Sequence, residues 1–332
     1  MKLHLDQEEF KVVIEACNKE TGIRADMLEK DYYVTLVLRE LAKLQGEGYA
    51  AYFRGGTALY KALGRINRFS EDIDITISIP EGMSKNAGKN YLKEFVNRFD
   101  NLPLVEDESR RSTHAQKRVR VYDYQPLYVR DEHDRLDRFG RVKIEATSFT
   151  KSEPFHDCMI QALIYSHASA EVREVLTSDY GIKGFNVVTQ TLERIFVDKL
   201  FAAQSCFDEG KYRDSSKHLY DIAIMSEIDD IKGLLSESSS GLLTELIGYK
   251  RSDEVAALRS DLSAVKLEDF ALAQNLKSAD RESLEAGFAS MLNIYVFDDV
   301  DLMDFDFALG RYQRSLRLAA MYSNYEQSLP VN

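Results

Sequence analysis

The strongest constraint on the fold is the stretch Phe53-Arg54-Gly55-Gly56-Thr57-Ala58-Leu59-Tyr60-Lys61, followed shortly by Arg68-Phe69-Ser70-Glu71-Asp72-Ile73-Asp74-Ile75-Thr76-Ile77. Tyr52 and Phe53 read as a buried strand that breaks at two glycines into a helix starting at Thr57. Such a break leaves unpaired backbone N–H groups facing whatever sits above the turn, which is a place for phosphate. In the second part Asp72 and Asp74 alternate with Ile73, Ile75 and Ile77. Strand periodicity therefore puts both carboxylates on one face and the isoleucines on the other. Two acids sharing a small volume repel unless something positive lies between them, and divalent metal is the usual remedy. An isolated Asp-x-Asp reads most simply as a solvated strand face; joined to Gly-Gly-Thr at this distance, it points to nucleotide chemistry.

The rest of the chain narrows the class. Its 332 residues suffice for two domains or for one with a substantial appendage, and 44% hydrophobic with 30% charged residues is an ordinary soluble composition. No apolar run approaches the roughly 18 residues that span a bilayer, and the first residues carry acids where a signal peptide needs apolar ones, so a cytoplasmic protein with no membrane association is expected. Cys17, Cys158 and Cys206 are widely spaced, which indicates neither a disulfide framework nor a zinc knuckle. The sequence contains no His-Glu-x-x-His, no Gly-x-Ser-x-Gly and no Gly-x-x-x-x-Gly-Lys-(Ser/Thr), which removes the simplest protease, esterase and P-loop readings. A net charge of −12 argues against indiscriminate nucleic-acid binding. Locally, Arg110, Arg111, Lys117, Arg118, Arg120, Arg130, Arg135, Arg138, Arg141 and Lys143 make a basic stretch that is either a solvated strand face or an RNA-contacting surface, while Asp298, Asp299, Asp301, Asp304 and Asp306 make the tail acidic.

In chain order, two helices are expected between Asp6 and Leu44, the first capped by Asp6 and ended by Gly22, the second carrying Glu29-Lys30-Asp31-Tyr32-Tyr33-Val34 near its start. After the acidic strand a helix is expected over Lys85–Phe99, then short strands near Lys117–Tyr124 and Pro126–Val129, and a polar loop over Asp131–Gly140. Arg141-Val142-Lys143-Ile144-Glu145-Ala146-Thr147 alternates again, which makes Glu145 a third carboxylate; the plain alternative is a solvated Glu flanked by Lys143. Helical signals resume from Pro154 to Tyr180, and Val187-Val188 offers a last extended piece. Thr191–Phe207 is an amphipathic helix containing Lys199, an ammonium in an apolar region that needs a partner. Tyr212-Arg213-Asp214-Ser215-Ser216-Lys217-His218-Leu219-Tyr220-Asp221-Ile222 opens another, and the remainder reads as a helical bundle.

The Gly-Gly-Thr and Asp-Ile-Asp stretch resembles the motif of the DNA-polymerase-β-like nucleotidyltransferase superfamily. More narrowly, Gly-Gly-Thr-Ala-Leu-Tyr-Lys with Arg-Phe-Ser-Glu-Asp-Ile-Asp, the Glu-Lys-Asp-Tyr-Tyr-Val segment and the Lys199 to Asp221 region resemble the AbiEii/MenT-type toxins of type IV toxin–antitoxin systems. The resemblance covers roughly Met27 to Met225 and departs from the family where Lys217 stands for a common Arg; Glu145 stands where the wider superfamily often has Asp.

The fold this reading implies is α+β: a mixed nucleotidyltransferase sheet flanked by helices over residues 1–180, with a helical domain over 181–332 completing the cleft. The reaction is Mg²⁺-dependent transfer of NMP from an NTP. Asp72, Asp74 and Glu145 ligate two Mg²⁺ about 4 Å apart. Gly55, Gly56 and Thr57 hold the β- and γ-phosphates through N–H groups and the Thr57 hydroxyl, and Lys61, Arg68 and Lys199 neutralise pyrophosphate, although Lys61 equally suits a solvated helix position. By resemblance Lys199 contacts the triphosphate and Asp221 is essential; a structural ion pair is the alternative for both. The resemblance also implies the 3′ end of tRNA as acceptor, blocked aminoacylation and translation, a pyrimidine NTP, a cognate antitoxin and a role in abortive infection and phage defence. Two alternatives stay open: nucleotidylation of a small molecule or a protein hydroxyl, and a non-catalytic nucleotide-binding partner protein.

Overall fold

The structure, a computed structural model, describes residues 1–64, 68–105, 116–128, 140–257, 260–296 and 302–323. The expectations for Arg110, Arg111, Arg130, Arg135, Arg138, Asp298, Asp299, Asp301 and the loop 131–139 lie outside the described residues. Among those described, no helix is long and apolar enough to cross a membrane.

The chain forms two compact units, each assembled from separated stretches. The first holds Met1–Leu63, Phe69–Ser148 and Phe155–Thr189; the second holds Gly64–Arg68, Phe149–Pro154 and Gln190–Asn332.

The first unit opens with α1 (Gln7–Thr21), where Asp6 accepts from the Glu9 N–H at the start and Gly22, at φ 72°, closes the end in the left-handed conformation. Next come α2 (Ala25–Gly46), β1 (Ala51–Arg54) and α3 (Gly55–Lys61), so the helix begins at the first glycine, two residues earlier than expected. β2 (Ile73–Ile77), α4 (Lys85–Val96), β3 (Lys117–Asp123) and β4 (Arg141–Thr147) follow as the alternation indicates. β5 (Phe155–Ile160), α5 (Leu163–Ser166), α6 (Ala170–Ser178) and β6 (Phe185–Gln190) complete the unit.

The six strands make one mixed sheet in the order β3-β4-β2-β1-β6-β5. β2 runs antiparallel to β1 and parallel to β4, which places Asp74 opposite Arg54 on one side and opposite Glu145 on the other. Ile73, Ile75, Ile77, Val142, Ile144 and Ala146 are fully buried, and this apolar face fixes the strand register because a one-residue slip would expose all of them.

Two expectations are corrected. Residues 154–160 contain an edge strand, where helix was expected; Cys158 and Ile160 are its buried residues, and Phe155 and Met159 are exposed. Leu127 and Tyr128 form no strand, because both N–H groups donate to the Glu29 carboxylate, at 2.7 and 3.1 Å, and are therefore not part of a ladder.

The second unit is helical. It contains α7 (Leu192–Asp208), α8 (Tyr212–Met225), α9 (Asp229–Leu234), α10 (Ser240–Ala256), α11 (Ser260–Ala264), α12 (Ser278–Tyr295) and α13 (Phe305–Tyr322). α8 is its centre, packed by α7, α12 and α13 and carrying the buried Leu219, Tyr220, Ile222 and Met225. The whole is therefore an α+β protein: a six-stranded mixed sheet flanked by helices, with a C-terminal helical region.

Candidate active site

The register makes one row across the sheet from Arg54 on β1 through Asp74 on β2 to Glu145 on β4. Side chains alternate along each strand, so Asp72, Asp74, Lys143 and Glu145 share one face. The glycine turn is fitted against this row. Gly55 adopts φ 78°, a conformation costly for other residues, and a Cβ there would collide with the Asp74 carboxylate. Turn and acid are thus in direct packing contact, and glycine is required for two separate reasons.

The charges on this face are balanced by the chain. Lys143 Nζ lies 2.9 Å from Asp72 Oδ2 and 2.8 Å from Glu145 Oε1, and Lys117 Nζ lies 2.6 Å from Glu145 Oε2. Burial pushes the Asp74 carboxyl well above the usual range, Glu145 beside it adds to the rise, and Arg54 opposes it. Burial would also raise Glu145, but Lys143 and Lys117 outweigh it and hold that carboxyl low. For Lys143, burial favours the neutral amine, and Asp72 and Glu145 reverse this, so the ammonium is strongly favoured. In this arrangement no group of three or more His, Cys, Asp or Glu side chains among the described residues is set to hold a metal, and Asp72 and Glu145 face Lys143 instead. The donor set itself, three carboxylates on one face of adjacent strands, suits a hard cation such as Mg²⁺.

Around the row, buried polar contacts fix the backbone. Thr57 is fully buried, and its hydroxyl donates to the Asp72 carbonyl at 2.5 Å and lies 3.0 Å from Ser70 Oγ. It is turned inward, tying α3 to the start of β2, rather than outward to a phosphate. Lys61 is likewise inside: its ammonium is 2.6 Å from Asp31 Oδ1 and donates at 2.6 Å to the Gln161 carbonyl, and its side chain is only 3% exposed. Asp31 also accepts from the Leu163 N–H at 2.7 Å. Lys30, next to Asp31 on α2, pairs with Glu71 at 3.4 Å and donates to the Arg141 carbonyl, linking the residue before Asp72 to the first residue of β4. Glu29, Lys30 and Asp31 therefore anchor three different parts of the site's scaffold from one turn of α2.

The remaining expected residues lie in the helical unit. Arg68 Nε and Nη2 donate to the two oxygens of Asp221, both at 2.6 Å, and Lys199 Nζ lies 2.6 Å from Asp221 Oδ2. All three are buried. Burial would raise the Asp221 carboxyl, but Arg68 and Lys199 hold it below the usual range, while burial and then Lys199 push His218 well below the normal imidazole range. Lys217 sits over the Tyr295 ring at 4.4 Å. The network holds Arg68, the last residue of the short segment that follows α3 in the chain.

The chain matches the family model described as Nucleotidyl transferase AbiEii toxin, Type IV TA system, over residues 36–311. It belongs to this AbiEii family. The match takes in the sheet residues from α2 onward and extends through most of the helical unit, beyond the part of the sequence whose motifs suggested the family. As an AbiEii member the chain is a nucleotidyltransferase of a toxin family acting on an NTP, and a type IV system implies a cognate antitoxin. A comparison with curated proteins returns no match.

Sequence reasoning named Asp72, Asp74, Glu145 and the glycines but missed the part played by Lys143 and Lys117. The signal for Lys143 was present, since it stands two residues before Glu145 in a strand pattern and so shares its face. Lys117 required the β3–β4 register, which a single sequence does not reveal.

Proposed function

We propose that this AbiEii protein transfers the NMP of an NTP to the 3′ end of tRNA, blocking aminoacylation and so translation. The observation that carries the reading is the packing of Gly55 against Asp74 in a row that continues to Glu145: a glycine turn and a row of acids joined at van der Waals contact. In the reaction an acceptor hydroxyl oxygen bonds to the α-phosphorus, the bond from that phosphorus to the bridging oxygen breaks, pyrophosphate leaves, and the hydroxyl proton passes to solvent.

Asp72, Asp74 and Glu145 are the residues that would hold Mg²⁺, which when bound supplies charge neutralisation to the triphosphate and acidity to the acceptor hydroxyl. The backbone N–H groups of Gly55 and Gly56 are assigned to phosphate, and Arg54, Lys143 and Lys117 are cations on the same sheet face. Thr57 and Lys61 act as positioning residues that fix α3 through Asp72, Ser70 and Asp31. Arg68, Lys199 and Asp221 are likewise read as a positioning network that holds Arg68 within the helical unit. The chemistry is assigned to the sheet unit, with the helical unit as a second domain.

The test is incubation of purified protein with Mg²⁺, total RNA and each α-labelled NTP separately. Label in tRNA-sized RNA, strongest with a pyrimidine NTP and lost in Asp72→Ala, supports the proposal. Label in protein or in a low-mass product would move the acceptor to another class, and NTP binding without pyrophosphate release would make the chain a binding protein.

A further inference from the structure

Lys143 stands on β4 with its ammonium between Asp72 and Glu145, and the second Glu145 oxygen belongs to Lys117. Three carboxylate oxygens of the set, Asp72 Oδ2 and both oxygens of Glu145, already have lysine partners supplied by the chain. These pairs are open to exchange. The side chains of Lys143 and Asp72 are 36% and 48% exposed, so water and ions reach them, and ion pairs at that exposure contribute little net stability. This contrasts with Lys61 and Asp31, which are sealed from solvent at 3% and 1%.

We propose that Lys143 competes with the divalent cation for Asp72 and Glu145, so that the site loads with cation and nucleotide together instead of with free cation first. The proposal rests on the reading of Asp72, Asp74 and Glu145 as the metal-holding set. A cation arriving alone displaces the Lys143 ammonium and leaves it unpaired beside a new double positive charge. A cation arriving with a triphosphate brings anionic oxygens that give Lys143 a new partner on the same face. By linkage, nucleotide then tightens cation binding and cation tightens nucleotide binding by the same factor. Lys117, on β3 with β4 between it and β2, is the natural comparison, since it pairs with Glu145 and stands two strands from the strand that Asp72 precedes.

The experiment is a Mn²⁺ titration of the full chain, read by the electron paramagnetic resonance signal of free Mn²⁺, with and without a non-hydrolysable NTP analogue. Wild type is expected to bind Mn²⁺ weakly alone and up to about fivefold more tightly with the analogue, a factor that corresponds to exchanging one exposed ion pair. Lys143→Met is expected to bind Mn²⁺ up to about fivefold more tightly than wild type without analogue, with the analogue adding little. Lys117→Met is expected to show a smaller gain. Lys143→Arg keeps the charge and is expected to bind Mn²⁺ no more tightly than wild type, which keeps the test decisive if the Met variant fails to fold. Equal Mn²⁺ affinity in Lys143→Met and wild type, or tighter binding in Lys143→Arg, overturns the proposal. Absence from every variant of any Mn²⁺ binding that Asp72→Asn removes brings down the metal reading itself, and the proposal with it.

Discussion

The Asp31–Lys61 pair allows a demanding prediction, because the sequence suggested a phosphate ligand where the structure shows a buried anchor. Asp31→Asn leaves the Lys61 ammonium without a counter-charge in a place that is 3% exposed. Removing one partner of a buried ion pair costs about 3–5 kcal/mol. Asn still offers an oxygen to the Leu163 N–H, so the expected loss is at the low end, about 3 kcal/mol. For a unit of this size that corresponds to a fall in Tm of roughly 6–12 °C. Urea unfolding followed by circular dichroism gives the free energy, and differential scanning calorimetry gives Tm. Lys61→Met is expected to lose a comparable amount, and Asp31→Leu with Lys61→Met to recover most of it, since an apolar pair of similar volume leaves no charge stranded. The reasoning is refuted if Lys61→Met costs under about 1 kcal/mol yet abolishes NTP binding, the range expected of an exposed phosphate ligand.

Gly55→Ala is expected to cost about 1–2 kcal/mol from the left-handed backbone alone and to displace Asp74 as well, so that activity at saturating NTP falls further than stability; equal activity in the variant would separate the turn from the acid. Asp221→Asn removes a counter-charge that buried Arg68 and Lys199 share and is expected to cost about 3 kcal/mol, measured by urea unfolding, with Asp221→Glu restoring part of it. Burial raises Glu29 and Glu40 from 4.5 to about 7, the two backbone N–H groups each accepts from offsetting this only in part. A carboxyl raised on folding is protonated in the folded state first, so its contribution is complete below about pH 4.5 and is lost as pH rises toward 7. Stability is therefore expected to fall across that window by up to about 1.4 kcal/mol per pH unit per group. Glu29→Gln should flatten the slope, and an unchanged slope would show that the carboxyl ionises normally.

Much of the candidate site's layout was legible because it obeys short periods. The break at Gly55-Gly56 and the alternation of Asp72 and Asp74 with isoleucine need only neighbours in sequence, and the alternation around Glu145 is equally local. What stayed hidden was everything set by pairing over distance. Nothing near Lys61 announces Asp31, thirty positions earlier, as its partner. Thr57 looked like a phosphate-binding hydroxyl because its type suits that role, but the close passage of the Asp72 carbonyl gives it an internal acceptor. β5 escaped because four of its six residues are exposed, so its signal is weak, and the extended piece at Pro126 failed because Glu29 takes the N–H groups that a strand would use. Neither Gly64–Arg68 nor Phe149–Pro154 carries any local sign that it belongs with the helical unit.

The most direct test of the central claim follows two labels at once in a reaction containing Mg²⁺, tRNA and an NTP labelled at both the α- and γ-phosphates. Wild type is predicted to place the α-label in RNA and to release the γ-label as pyrophosphate in equal amounts, with both signals lost in Asp74→Asn. Transfer of the γ-label to the acceptor, or α-label incorporation at the wild-type rate in Asp74→Asn, would contradict the account.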